Sequence, residues 1–105
     1  MKTANLLLLT IIAEDELESR LVADLKNLGV SGYTICPVRG EGVHGLRASQ
    51  WEGGNIKIEV IVDGMLADAI SEHVSNAYFP SFAAILYLLP VQVLREDKFT
   101  KPENK

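Results

Sequence analysis

A chain of 105 residues, 48% of them apolar, is long enough for one packed core and needs neither a disulfide nor a metal to hold it. Ten Lys and Arg stand against fourteen Asp and Glu, a net charge of -4. That balance excludes a nucleic-acid binder working through a broadly basic face, and it confines any anion site to a local cluster. The single cysteine, Cys36, has no partner for an internal disulfide, and residues 1–9 lack the cationic region and cleavage site of a secretory leader. The expected compartment is therefore the cytoplasm. The longest apolar run, residues 82–94, is short of a bilayer span and is broken by Pro90 and Gln92, so no membrane insertion is expected.

In chain order, residues 5–13 carry Leu6 to Leu9 and then Ile11 and Ile12, a continuous apolar run of strand length that suits a central strand covered on both faces. Leu17, Leu21, Leu25 and Leu28 then mark one face of a helix, with Glu14, Asp15 and Glu18 leading it, Lys26 on its polar side and Gly29 stopping it. A second strand is expected over residues 32–39 through Tyr33, Ile35 and Val38. Residues 40–54 show no periodicity, and a loop of that length inside a compact domain is commonly functional. Alternation returns at Ile56, Ile58, Val60 and Val62, with Lys57 and Glu59 on the opposite face of a third strand. Asp63 can cap a second helix, whose buried stripe is expected at Leu66, Ala69, Ile70, His73, Val74 and Ala77 and whose end falls near Tyr78. After a turn through Phe79, Pro80 and Ser81, a last apolar strand runs over residues 83–94. Pro90 removes a backbone donor from it and favours an edge or bulge position. Residues 96–105 are charged and read as a frayed tail.

Strand, helix, strand, strand, helix, strand is the split βαβ order. It predicts an α+β, ferredoxin-like sandwich over residues 1–105: a four-stranded antiparallel sheet with both helices on one face. The other face is left uncovered, and with the first and last strands apolar on both sides it predicts a homo-oligomer.

The residues that could carry chemistry are few. His44, His73 and Cys36 lack metal-ligand spacing, no serine sits in a nucleophile elbow, and no Walker-type loop is present, so neither an enzyme nor a metal site is expected. His73, on the apolar stripe, reads as a hydrogen-bonded structural histidine, and Cys36 as a small hydrophobe. The segment Arg39-Gly40-Glu41-Gly42-Val43-His44-Gly45-Leu46-Arg47 differs, because its glycines permit close backbone approach and its two arginines can hold an anion. The same composition also makes an ordinary solvated loop, and the residues alone leave both readings open.

Gly32-Tyr33-Thr34, the Gly40-Glu41-Gly42 opening of the long loop, and Asn55-Ile56-Lys57-Ile58-Glu59-Val60 resemble the PII signalling superfamily. The turn Ala77-Tyr78-Phe79, the strand over residues 83–87 and the Arg47 loop are similar to PII-like proteins tied to inorganic-carbon uptake and carboxysomes. The resemblance covers residues 5–99. It implies a homotrimer with adenine nucleotide in the clefts between subunits, and residues 40–54 as a flexible effector loop. Carried over by position, it places Arg39, Gly40, Glu41, Gly42, Val43, Arg47, Lys57, Tyr78, Phe79, Phe82 and Arg95 at the nucleotide, and a bicarbonate ion at Gly40, Gly42 and Arg47.

Where typical members wrap the phosphates with a glycine-rich, lysine-containing loop, this chain has residues 78–82. ADP or AMP, or cyclic AMP, is thereby implied over ATP. Asn55 replaces the lysine that nitrogen sensors use for 2-oxoglutarate, and Trp51 is the sole aromatic of the loop in place of the modified tyrosine. The resemblance thus implies a non-enzymatic regulator of carbon uptake whose partner is a bicarbonate transporter or a carboxysome component. A structural or metal-linked trimer similar to the divalent-cation tolerance proteins, or a small-ligand module similar to ACT domains, is the alternative.

Overall fold

A computed structural model of the chain describes residues 4–40 and 54–95. The body of the expected loop, residues 41–53, and the expected tail lie outside the described residues. Strand β1 (Ala4–Glu14) leads through a single 3-10 turn (Asp15–Leu17) into helix α1 (Glu18–Leu28). Then come β2 (Thr34–Val38), β3 (Asn55–Val62), α2 (Gly64–Ala77) and β4 (Ile85–Val93). The strands form one sheet in the order β2-β3-β1-β4 with every neighbouring pair antiparallel, which is the ferredoxin-like α+β arrangement expected.

Each helix is closed by local chemistry. Gly29 ends α1 at φ 108°, and the Val30 N–H reaches back to the Leu25 carbonyl at 3.0 Å while the Gly29 N–H bonds Lys26 O at 3.1 Å, a Schellman-type closure that needs a residue tolerant of positive φ. Asp63 caps α2, its carboxylate accepting the Leu66 N–H at 2.9 Å.

The ladder register sorts the side chains into two faces. Leu9 stands opposite Val60 and Leu88, and Ile11 opposite Ile58 and Leu86. With Ala13, Ile56 and Val62 this odd-numbered β1 set meets Leu17, Leu21 and Leu25 from the first helical segment and Ala67, Ile70 and Val74 from α2, forming the core. The inward stripe of α2 differs from the expectation at two positions: Ala69 is exposed and Ala67 takes its place, and His73 is only partly buried. At 100° per residue, Ala67 falls about 60° from Ile70 on the side of Val74, whereas Ala69 falls about 100° away on the other side.

Among the described residues nothing covers the opposite face. It carries Leu8, Ile12, Ile61, Ile85, Tyr87 and Leu89, with Thr10, Lys57 and Glu59 among them; Ile85, Tyr87 and Leu89 are half-exposed. The edges are β2, with Pro37 opposite Ile56, and β4, with Pro90 opposite Leu7, so Pro90 takes the edge position its missing N–H favours.

Candidate functional site

On the uncovered face, where β2 begins, lies a groove of about 190 Å³ lined by Leu8, Gly32, Tyr33, Thr34, Glu59, Val60 and Ile61. It exists because β2 joins the ladder only at Thr34, opposite Glu59. Beyond Glu59, β3 is paired with β1 on one side but no longer with β2 on the other, and Gly32 brings no side chain to fill the gap. Apolar walls, one aromatic ring, a hydroxyl and a carboxylate suit a flat, partly apolar ring bearing hydrogen-bond donors. Lys57, two residues back on the same face of β3, holds its Nζ 3.8 Å from Glu59 Oε2.

The residues expected at a nucleotide fall into three places. Arg39 and Gly40, both exposed, follow β2, and Lys57, half-buried, faces the same side from β3. Phe79 and Phe82 belong to the turn after α2, near the far edge of the sheet: Phe79 is exposed, while Phe82 packs against the core. Arg95 lies just past β4, at the end of the sheet where β1 starts, since Val93 pairs with Ala4. With strands about 4.8 Å apart, the β2 and β4 edges stand about 14 Å from each other, so the described residues of one chain do not draw these groups around one ligand. Glu41, Gly42, Val43 and Arg47 lie outside the described residues, and so does the body of the bicarbonate site expected with Gly40.

Tyr78, also expected at the nucleotide, has a fully buried side chain. Its hydroxyl donates to Asp24 Oδ2 on α1, and the same oxygen accepts from His73 Nε2 at 2.9 Å. The Arg20 guanidinium stacks 4.6 Å above the Tyr78 ring, and the Phe82 ring lies 6.3 Å from it. Burial pushes the Asp24 carboxyl up, but the hydrogen bonds from Tyr78 and His73 and the nearby positive charges outweigh it and hold the carboxyl below its usual range. Burial, together with the Asp24 carboxylate, pushes the Tyr78 phenol well above its ordinary value. Sequence placed His73 correctly as a hydrogen-bonded structural histidine. Its partner, forty-nine residues away, could not be read from spacing.

Two further contacts tie the open end of the sheet. The Asp15 N–H bonds Gly54 O at 3.0 Å and Asp15 Oδ2 accepts the Gly54 N–H at 3.3 Å, which fastens the returning end of the long loop to the end of β1. Glu14, almost wholly buried, accepts the Ala83 N–H at 3.5 Å through Oε2, while its Oε1 has no hydrogen-bond partner among the described residues. Among the described residues no three His, Cys, Asp or Glu side chains are placed to hold a metal ion, and no helix is long and apolar enough to cross a membrane.

The fold is a ferredoxin-like α+β sandwich with a groove of about 190 Å³ beside its edge strand β2. Its family is given by comparison: the model for nitrogen regulatory protein P-II matches residues 6–98, and the chain belongs to that family of regulatory proteins as a PII-like signalling protein. Among solved structures it is similar to a candidate PII-like signalling protein of Thermus thermophilus, at 46% identity over 95% of this chain and 100% of that one, with a TM-score of 0.82. It is also similar to CPII of Thiomonas intermedia. The form of CPII bound to ADP and bicarbonate matches at 28% identity over 94% of this chain and 98% of that one, TM-score 0.81. The form bound to ADP, AMP and acetate matches at 26% identity over the same shares, TM-score 0.82.

Proposed function

We propose that this chain is an adenine-nucleotide-binding regulator of inorganic-carbon uptake, one domain over residues 1–105, acting in the cytoplasm as a homotrimer. The observation that carries the reading is the likeness, over 94% of the chain, to a PII-like protein bound to ADP and bicarbonate. The groove supports it from within the chain. Its apolar walls and Tyr33 take the purine ring, and Thr34 and Glu59 bond its amino or the ribose hydroxyl groups. Arg39, Gly40 and Lys57 lie on the side where phosphates would emerge, joined by Glu41, Gly42, Val43 and Arg47 of the loop. Phe79, Phe82 and Arg95, which one chain leaves far from the groove, come from a neighbouring copy across a subunit cleft.

Fewer phosphates suit this cation set, so ADP or AMP is preferred over ATP, with bicarbonate held by Gly40, Gly42 and Arg47. Ligand orders the loop over residues 40–54, and a bicarbonate transporter or carboxysome component reads the change.

Calorimetric titration with AMP, ADP, ATP and cyclic AMP, with and without bicarbonate, is the test. Micromolar binding of ADP or AMP that tightens with bicarbonate is the expected result, and silence from all four nucleotides overturns the reading. Arg47→Ala weakens phosphate-bearing ligands, and proteolysis within residues 40–54 slows with saturating nucleotide.

A further inference from the structure

The groups around Tyr78 converge on one carboxylate oxygen that the nucleotide reading does not use. Asp24 Oδ2, on α1, accepts from the Tyr78 hydroxyl at the end of α2 and from His73 Nε2 one turn earlier on the same helix. Tyr78 in turn organises the turn that follows it. Its carbonyl accepts the Ser81 N–H at 3.1 Å and the Phe82 N–H at 2.9 Å, and its ring packs against Phe82. The turn then meets β1, where the Ala83 N–H reaches Glu14. A displacement of the Tyr78 ring would therefore move residues 79–83 together, carrying with them the exposed Phe79.

The network is also expensive to leave unmade. A Tyr78 hydroxyl without its acceptor would be a polar group stranded in the core, so the arrangement with Asp24 in place strongly favours one setting of the ring. The aromatic stack with Arg20, from the same face of α1 as Asp24, limits the ring's remaining freedom.

We propose that Asp24 and Tyr78 are positioning residues for the ligand site: the carboxylate on α1 pins the tyrosine, and the pinned tyrosine sets residues 79–83 at the height a bound nucleotide requires. The inference rests on the nucleotide reading given above. Neither side chain touches the ligand. His73 is the second donor that keeps the carboxylate ionised and aimed at the hydroxyl, while Arg20 is the remaining charged group facing it. The residue filling the place of the family's phosphate loop is thus held from behind, by the helix layer.

The test compares ADP affinity and amide exchange at Ser81 and Phe82 in the full chain and in Asp24→Ala, Asp24→Asn, Tyr78→Phe and Ile70→Val. Asp24→Ala and Tyr78→Phe are expected to weaken ADP by about tenfold and to speed exchange at both amides. Asp24→Asn, which keeps an acceptor for the hydroxyl, is expected to restore affinity to within about threefold of wild type. Ile70→Val loosens the same helix interface without touching the pin and is expected to leave ADP affinity unchanged, which separates positioning from general loss of stability. Wild-type binding with equal affinity in Asp24→Ala, or loss in Ile70→Val matching that in Asp24→Ala, overturns this inference alone. A wild-type chain that binds no adenine nucleotide overturns the function reading, and this inference with it.

Discussion

Replacing Leu89 by Asp tests whether the uncovered sheet face is where copies of this chain meet. Leu89 is 52% exposed, and its neighbours on the same face of β4, Ile85 and Tyr87, are 50% and 42% exposed. Complete burial of a large apolar side chain is worth about 1.5–3 kcal/mol, so covering the exposed halves of these three adds about 3 kcal/mol per protomer and about 9 kcal/mol in a closed trimer. Asp at position 89 removes about a third of that and places a carboxylate where a contact would strip its water, a penalty of several kcal/mol per copy. The folded chain should therefore be monomeric at about 10 μM, where one lost tenfold in association corresponds to only about 1.4 kcal/mol. Sedimentation equilibrium reads the assembly, and far-ultraviolet circular dichroism confirms that the monomer is folded. Met65→Asp, on the outer side of α2 at 84% exposure, is the control and should leave the trimer intact. A Leu89→Asp chain that sediments as the wild-type trimer would refute the argument, as would a wild-type chain that is already monomeric.

Gly29→Ala should cost about 1–2 kcal/mol, because φ 108° is closed to a Cβ on backbone grounds alone: no other atom lies within 4 Å of the added carbon. Thermal unfolding should fall by about 4–8 °C for each kcal/mol lost, and an unchanged midpoint would contradict the Schellman closure. Asp63→Ala removes the α2 cap and should lower stability by about 1 kcal/mol in urea titration, whereas Asp63→Asn, which can still accept the Leu66 N–H, should retain most of it. Asp24 also gives the fold an acid limit. Its folded value lies below the ordinary 3.8, so its contribution is present above that value and is lost as pH falls through the lower folded one. Wild type should therefore lose stability relative to Asp24→Asn as pH is taken from about 5 to about 2, and parallel pH profiles would show that the carboxylate is not specifically stabilised.

Much of the architecture was readable because the pattern that betrays it is local. Alternation at Ile56, Ile58, Val60 and Val62 and leucines at 17, 21 and 25 each report one face of one element, and the element order then leaves few topologies. The misplaced Ala69 shows the limit of that signal: on a helix with alanine at both 67 and 69, periodicity alone cannot say which side of Ile70 faces the sheet. The site was harder to read. The Gly32-Tyr33-Thr34 motif carries a family likeness, but its part in a groove depends on where β2 joins β3 and on Leu8 from a strand beyond. The resemblance places Tyr78 at the nucleotide by its position in the chain alone. Its hydrogen-bond partner in the fold, Asp24, is fifty-four residues away and reachable only once both helices lie on the same face of the sheet.

The prolines of the two edge strands decide what kind of association this chain can enter. Pro37 in β2 and Pro90 in β4 each put a residue with no N–H to give into a strand whose outer side is otherwise a template for another strand. Sheet-to-sheet extension, the route by which half-exposed apolar strands grow into fibres, is blunted at both ends. Contact through the open face remains available, and packing of that kind terminates once the face is covered. A molecule with so much uncovered leucine and isoleucine can thus be sticky in one direction and inert in the other, and its growth ends in a small closed particle.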